Sequence, residues 1–512
     1  MDFPILFSTT MRDGTQGEGC TVTNLDAALA AIRAEDRHGV EYHELGFCVG
    51  NDMVRERVCE AKRLGLNGKI AVFGRTHETD VDAIIGMEVP VGVLVGKSRK
   101  ADAEKVIRRG ADKNLELIEV SVRKLVDAGL EVVYDAEHFF DAVHSPDSDF
   151  ALLTIKAALK GGATWIVLCD TNGGMSVAKL LLGISMAQSV VSLEKLGIHC
   201  HNDRGLAVSL SEAALEAGVR HVQGVFGGFG ERVGNANLIT ILGNLSEDHG
   251  VTAPHLDRLT ETYHAVCAAL NQTPDPRHPY VGRSAAYTEA GMHQSGQQRD
   301  GRNYLHMNPA KYGNRVRVGV TEQSGRANVK SKCDGLGIEV NDTLLTLLTA
   351  CITDKVAMGY DFSHEATFEL LARRTFGTFE DPVSSVEYEV RTSIRDDDRP
   401  PRTMADLRCV INGATKLHNA DGDGPVNALD NVFRRTVKRE FPNLLEVRLV
   451  DFNVSVFDVS KGTAAKVRVY CVWRDRSDKT WSTMAAHDNM VHASWLAVFD
   501  GYMYKLLRNG HH

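Results

Sequence analysis

The stretch Gly197-Ile198-His199-Cys200-His201-Asn202-Asp203 decides the fold, and its central feature is a pair of histidines two residues apart. Side chains alternate along a β-strand, so residues i and i+2 share a face. At a strand end, the rings of His199 and His201 leave the backbone in parallel, about 7 Å apart by the usual rise per residue. Such a pair can hold one cation, and hydrogen-bonded core histidines are the alternative. Cys200 faces the other side and is expected to be a packed thiol.

On both sides of this stretch, short apolar runs alternate regularly with helical patterns. Eight runs predict strands: Ile5–Ser8, Glu41–Leu45, Ile70–Phe73, Val91–Val95, Glu131–Tyr134, Trp165–Leu168, Ile198–His201 and His221–Val225. Between them, apolar residues spaced by three and four predict helices, including Leu25–Arg37, Ala103–Ala128, Phe150–Lys160 and Val177–Leu196. Eight such units over about 250 residues predict an α/β fold of the (β/α)8 TIM-barrel type. A doubly wound open sheet competes, but its phosphate-binding Gly-x-Gly-x-x-Gly does not follow the first strand.

Polar residues follow the predicted strands, where active sites of this barrel lie. They are Arg12, Asp13 and Gln16 after strand one, Glu44 after strand two, Arg75 after strand three, Glu137 and His138 after strand five, Asp170, Thr171 and Asn172 after strand six, and 227–235 after strand eight. Barrel closure brings strands seven, eight and one together, so Asp13 and Asn235 can reach a cation on His199 and His201. Two imidazoles and two oxygens leave room for a substrate on the same ion.

Several of these residues also have ordinary structural roles. Asp170 and Asn172 could cap a helix, and Glu231 with Arg232 could form an ion pair. Arg12 beside Asp13 is harder to explain in this way, because an arginine near a cation is repelled unless an anion lies between them. The pair therefore predicts a negatively charged substrate or a developing oxyanion.

Composition limits the class of protein. The 512 residues exceed one domain, and 43% hydrophobic with 24% charged residues is ordinary for a globular protein. No run approaches eighteen uninterrupted apolar residues, and the start lacks a basic and apolar leader, so we expect a cytoplasmic protein without a membrane partner. Ten cysteines without a Cys-x-x-Cys pair suit a reducing compartment. The formal charge of -9 gives no reason to expect nucleic-acid binding.

Five ordered motifs carry a resemblance to a known family. They are Thr9-Thr10-Met11-Arg12-Asp13-Gly14-Thr15-Gln16, Asp135-Ala136-Glu137-His138-Phe139-Phe140-Asp141, Cys169-Asp170-Thr171-Asn172-Gly173-Gly174, His199-Cys200-His201-Asn202-Asp203 and the segment 230–238, Gly-Glu-Arg-Val-Gly-Asn-Ala-Asn-Leu. Together they resemble the 2-isopropylmalate, homocitrate and citramalate synthase family over essentially the whole chain, with the long-form citramalate synthases as the most similar branch.

The resemblance implies an acyltransferase that condenses acetyl-CoA with a 2-oxo acid, pyruvate in the citramalate branch, and then hydrolyses the thioester. It implies a divalent metal, Mn²⁺, Zn²⁺ or Mg²⁺, on Asp13, His199, His201 and Asn235. Arg12 would stabilise the alkoxide, Thr171 would bind the substrate carboxylate, and Glu137 would orient groups or relay protons. Gln16 and Glu44 are further candidates for substrate contacts.

The resemblance continues beyond the barrel. Residues 291–295, 303–309 and 324–329 resemble the family's helical linker, which makes His293 and Tyr304 candidates for proton transfer around acetyl-CoA. Residues 422–429 and 493–495 resemble its C-terminal regulatory domain, which binds an amino-acid effector. We therefore predict a barrel at 1–265, helical linker subdomains at 266–392 and an α+β regulatory, dimerisation domain at 393–512, in a homodimer. The charged stretch Arg391 to Arg402 is interpreted as a solvated linker.

Three functions remain open at this point. Another oxo acid would make the protein similar to 2-isopropylmalate or homocitrate synthases in a secondary pathway, and Ser8, where the family usually has Asp, leaves that choice open. A metal-dependent lyase or aldolase of the same barrel group is the second alternative. A catalytically inactive regulator is the third, although Arg12, Asp13 and Glu137 are all present.

Overall fold

A computed structural model describes residues 2–105, 108, 110–288, 305–318, 326–394, 400–457 and 459–510. These residues form two compact units. The first is built from residues up to 286 together with 305–316, and the second from 287–288 and the described residues from 317 onward. Among the described helices, none has the length and apolar content needed to cross a bilayer.

The first unit is a closed barrel of eight parallel strands in sequence order, which confirms the predicted fold. The strands are β1 Ile5–Ser8, β2 Val40–Phe47, β3 Lys69–Arg75, β4 Val91–Lys97, β5 Glu131–Glu137, β6 Trp165–Asp170, β7 Leu196–Cys200 and β8 His221–Gly224. Phe7, Val93, Val133 and Val167 fill the barrel, because alternate residues of each strand point inward. The other faces of the strands are covered by the surrounding helices.

The helices of this unit follow the strands as the predicted pattern requires. They are Leu25–Asp36, Asp52–Ala61, Glu78–Gly86, Lys100–Lys105, Ala111–Asp127, Phe139–Val143, Ser148–Gly161, Val177–Ala187, Ala207–Glu216, Leu238–Asp248 and Leu259–Ala269. Two predicted helices were too long. Gly110, at φ +74°, separates the helix predicted at Ala103–Ala128 into two, and the helix predicted at Val177–Leu196 ends at Ala187. A short 3-10 turn, Leu193–Lys195, then leads directly into β7.

The second unit contains two antiparallel three-stranded sheets. The first sheet is β11 Val383–Ser393, β12 Arg402–Ile411 and β13 Ala414–Gly422, and the helix Pro425–Val437 packs on it. The second sheet is β14 Arg448–Phe457, β15 Lys466–Arg474 and β16 Thr480–His487, covered by the helix Met490–Arg508. Helices Arg326–Gly335, Asp342–Ala357 and Glu365–Phe376 precede them, and two short strands, β9 Tyr287–Thr288 and β10 Arg317–Val318, pair in parallel.

The predicted domain boundaries at 265/266 and 392/393 fall elsewhere than the boundaries of the two units. The helix Leu259–Ala269 packs against Leu25–Asp36, so it is part of the barrel unit. Strand β11 begins ten residues before the second predicted boundary and pairs with β12 as far as Ser393↔Arg402. The stretch interpreted as a linker therefore contributes both of its ends to one hairpin, and 395–399 lie outside the described residues.

Candidate active site at the barrel mouth

Asp13, His199 and His201 meet at the carboxyl end of the barrel and are all buried. Asp13 opens a 3-10 turn after β1, His199 lies in β7, and His201 follows that strand in a bridge with Asn235. His199 Nε2 lies 3.5 Å from Asp13 Oδ2 and 3.4 Å from His201 Nε2, and His201 Nε2 lies 3.9 Å from Asp13 Oδ2. The alternation that predicted the pair is therefore confirmed, and Cys200 is buried in the apolar core on the other face.

The charge states of Asp13 and His201 suit a divalent cation. Burial opposes ionisation of Asp13, but the Arg12 guanidinium outweighs it and holds the pKa of Asp13 well below its usual range. Burial lowers the pKa of His201 to about 4, so this imidazole is neutral at pH 7. A carboxylate and neutral imidazoles are the forms in which these side chains bind a metal. Separations of 3.4 to 3.9 Å are close to the roughly 3.0–3.4 Å expected between ligands about 2.1 Å from one ion.

Asn235 supplies the fourth polar group. Its Nδ2 donates to Asp13 Oδ1 at 2.8 Å and to the carbonyl of Phe229 at 3.1 Å. Its buried Oδ1 has no hydrogen-bond partner among the described residues, which is costly unless a cation or water uses it. The amide oxygen, the carboxylate and the two imidazoles therefore form a donor set that fits Mn²⁺, Zn²⁺ or Mg²⁺.

Gly230 allows Asn235 and Asp13 to approach each other closely. Its φ of +136° lies in the region that favours glycine, and a Cβ there would clash with Asn235 Nδ2 and lie 3.0 Å from Asp13 Oδ1. The glycine-rich loop after β8 is therefore shaped around the contact between Asp13 and Asn235.

A hydrogen-bonded chain orients His199. Gln223 Nε2 donates to Asp135 Oδ1 at 3.0 Å, which turns Gln223 Oε1 toward His199 Nδ1 at 2.9 Å. An acceptor at this position holds the proton on Nδ1, so the lone pair of Nε2 faces Asp13. The sequence analysis missed Gln223, although it occupies an inward position of β8 between His221 and Val225.

Arg12 joins Asp13, His199 and His201, which we call the triad, to β2. Its Nη1 donates to Asp13 Oδ2 and its Nε to Glu44 Oε2, both at 2.7 Å, and the guanidinium lies over the Phe73 ring at 4.4 Å. Glu44 is buried beneath it, and burial, opposed by Arg12, raises the pKa of Glu44 above its ordinary value. Arg12 therefore remains cationic although it is buried, with its Nε and Nη1 each held by a carboxylate.

The remaining predicted residues lie around the rim. Glu137 ends β5 and pairs with Lys97 of β4. Thr171 follows β6, and its Oγ1 accepts the His138 N–H at 2.8 Å. Gln16 is exposed at the end of the 3-10 turn. His293 and Tyr304 lie outside the described residues.

Of the structural alternatives, the ion pair between Glu231 and Arg232 is present, whereas neither Asp170 nor Asn172 caps the following helix, Val177–Ala187, whose N-cap is Ser176. Asp170 braces its own loop by accepting the Gly174 and Met175 N–H groups at 3.0 and 3.1 Å. Arg232 pairs with Glu231 at 3.2 Å and more closely with Asp203 at 2.7 Å.

The fold and the site define the class: a (β/α)8-barrel enzyme with a buried Asp-His-His ligand group at its mouth. The HMGL-like family model matches residues 4–266, and the LeuA allosteric (dimerisation) domain matches residues 363–506. An (R)-citramalate synthase of Aquifex aeolicus is 35% identical over 98% of this chain and 98% of its own length.

Two further relatives extend the comparison. An (R)-citramalate synthase of Geobacter sulfurreducens is 35% identical over 98% of this chain and 97% of its own, and a 2-isopropylmalate synthase of Methylorubrum populi is 30% identical over 91% and 89%. The chain belongs to the HMGL-like family and, within it, to the 2-isopropylmalate, homocitrate and citramalate synthases.

Proposed function

We propose that this protein is an acyltransferase that condenses acetyl-CoA with pyruvate and water to give citramalate and free CoA. The deprotonated methyl carbon of the acetyl group attacks the ketone carbon of the oxo acid, and hydrolysis of the thioester then releases the thiol. The names of the relatives support this choice of substrates, because (R)-citramalate synthases match almost the full length of the chain.

The observation that carries the proposal is the buried group of Asp13, His199 and His201 with Arg12 beside it. A divalent ion bound there, Mn²⁺, Zn²⁺ or Mg²⁺, would act as a Lewis acid on the oxo acid. The residues present fit this ion, because Asn235 Oδ1 is buried without a partner among the described residues.

Arg12 provides the fixed positive charge for the oxygen that becomes negative during condensation. The guanidinium is buried, held at two nitrogens by Asp13 and Glu44, and does not need to reorganise when the charge develops. We propose that Glu44 acts on the substrate through Arg12, since its own carboxylate is fully buried against that side chain.

Thr171 and Glu137 lie where the substrate enters. The His138 N–H donates to Thr171 Oγ1, so the hydroxyl proton of Thr171 is free to point toward a substrate carboxylate. Glu137 is a half-buried carboxylate that could orient groups or relay a proton. Gln16 remains a candidate substrate contact, and His293 and Tyr304 remain candidates for proton transfer around acetyl-CoA.

The proposal extends to the oligomeric state, the effector and the cellular compartment. The match to a LeuA allosteric (dimerisation) domain supports a homodimer and an amino-acid effector. All ten cysteines are free thiols, which supports a location in the reducing cytoplasm.

The decisive experiment follows free thiol while the protein is incubated with acetyl-CoA, a divalent metal and a panel of 2-oxo acids. We expect release with pyruvate, none without metal, and citramalate as the product identified by mass spectrometry. Asp13→Asn is the matched negative control, because it keeps the size of the side chain but removes its charge. No release with any oxo acid would contradict the synthase assignment.

The same assay, extended to hydroxy acids and their CoA thioesters, tests the alternatives. Release with a branched or dicarboxylic oxo acid in preference to pyruvate would assign an activity similar to 2-isopropylmalate or homocitrate synthases, and the match to a 2-isopropylmalate synthase keeps that candidate open. Cleavage of a hydroxy acid or its CoA thioester without net condensation would assign a lyase.

A further inference from the structure

Lys97 lies beside Glu137 at the mouth of the barrel. Val91, Val93 and Val95 alternate inward along β4, so Lys97 is the next inward residue, and it is paired in register with Glu137 of β5. The ammonium contacts Glu137 Oε2, and the two side chains are 25% and 23% exposed. The pair is therefore accessible from the substrate side but is not freely solvated.

The backbone around Lys97 is held in place by two further bonds. The Ser98 N–H donates to the carbonyl of Glu137 at 3.1 Å, which ties the ends of β4 and β5 together. Asn114 Nδ2, from the helix Ala111–Asp127, donates to the carbonyl of Lys97 at 3.0 Å. The ammonium is thus presented to Glu137 from a fixed strand end, in contrast to a flexible surface lysine.

The other ionisable groups around Glu137 do not replace this contact. They come from its own strand, the loop and helix after it, and the two neighbouring strands: Tyr134, Asp135, His138, Asp141, Arg99 and Cys169. Arg99 is engaged by Asp102 through two bonds of 2.7 and 3.0 Å, and His138 by Asp141 at 2.9 Å. Burial raises the pKa of the Cys169 thiol, which is therefore neutral. Without Lys97, Glu137 would be left near the carboxylates of Asp135 and Asp141.

We propose that Lys97 is the positioning residue of Glu137, holding its carboxylate directed at the mouth for its part in proton transfer. This inference rests on the proposed function. The competing role for Lys97 is direct binding of the oxo-acid carboxylate, which predicts different kinetics.

The test compares Lys97→Met and Lys97→Arg with Lys69→Met. Lys69 is the matched control, because it pairs at 2.9 Å with Glu131 at the opposite end of β5. The rate of thiol release is measured over a range of oxo-acid concentrations on the full metal-loaded chain, which separates kcat from KM. In parallel, infrared difference spectroscopy follows the carboxylate stretching bands of Glu137 without turnover, with Glu137→Gln protein as the baseline.

The stretching bands of a carboxylate depend on the cation that it contacts. We therefore expect Lys97→Met to shift the bands of Glu137 and to lower kcat about tenfold with little change in KM for the oxo acid, because the proton-transfer group is no longer held in place. Lys97→Arg should restore both, and Lys69→Met should change neither. If Lys97→Met does not fold, Lys97→Gln takes its place.

Unchanged carboxylate bands of Glu137 in Lys97→Met overturn the inference. A KM for the oxo acid raised tenfold or more, with the bands unchanged, assigns Lys97 to substrate binding and overturns it as well. Wild-type protein that releases no thiol contradicts the proposed function alone, because the infrared bands still measure the effect of Lys97 on Glu137.

Discussion

Replacing Gln223 with leucine tests whether the metal site depends on residues that do not touch the metal. The side chain spans two bonds, 2.9 Å to His199 Nδ1 and 3.0 Å to Asp135 Oδ1, and leucine makes neither. The His199 proton is then free to move to Nε2, the nitrogen that must stay deprotonated to bind the ion. Loss of such an orienting partner typically costs about 10–100-fold in metal affinity, or about 1.4–2.7 kcal/mol.

The assay is competition with a chromogenic chelator for Zn²⁺ or Mn²⁺ on the full chain. Asn114→Leu is the matched control, because it also removes a buried amide bond of 3.0 Å to a barrel strand, but away from the triad. It should lower the melting temperature of the metal-free protein and leave metal affinity near wild type. A Gln223→Leu affinity within about twofold of wild type would refute the reasoning, since the expected loss is tenfold or more. An equal loss in Asn114→Leu would refute it too.

Three other substitutions have defined outcomes. Gly230→Ala should displace Asn235 and strain the loop by about 1–3 kcal/mol, which lowers the melting temperature and metal affinity together. Arg12→Lys should lower kcat about 10²- to 10³-fold in the thiol assay with metal affinity retained, because lysine cannot hold two carboxylates with a planar fork. Burial raises the pKa of Glu35 from 4.5 to about 7, so stability should fall as pH rises from about 4.5 to 7. Glu35→Gln should flatten that slope in urea unfolding at pH 5 and 8, while a retained slope would contradict it.

Much of the barrel could be predicted because its signals are local. Strands such as Val91–Lys97 are apolar at every position that packs, and β1 was predicted with its observed bounds. The period of two also placed His199 and His201 on one face. Helix ends were less certain, since the apolar pattern continues through Val190 and Val191 after the helix has stopped at Ala187.

The parts that could not be predicted depend on contacts distant in sequence. Strand β13 carries charged or polar residues at most positions and shows no apolar alternation to detect. Strand β11 does alternate, at Val386, Tyr388 and Val390, and the sequence analysis passed over it. Gln223 has no spacing that marks it as an orienting residue, because its partners lie on β5 and β7. Lys97 did carry a signal, as the polar end of an inward valine series, and the sequence analysis passed over it.

The triad also links metal binding to closure of the barrel. Asp13 is near the start of the barrel sequence, whereas His201 and Asn235 are near its end, so the ligands come together only when β1 pairs with β8. A nascent chain carries Asp13 before the two histidines are made, and an open barrel does not bring this carboxylate to them. Bound metal would therefore favour the closed barrel by mass action, and metal retention separates closed barrels from open ones.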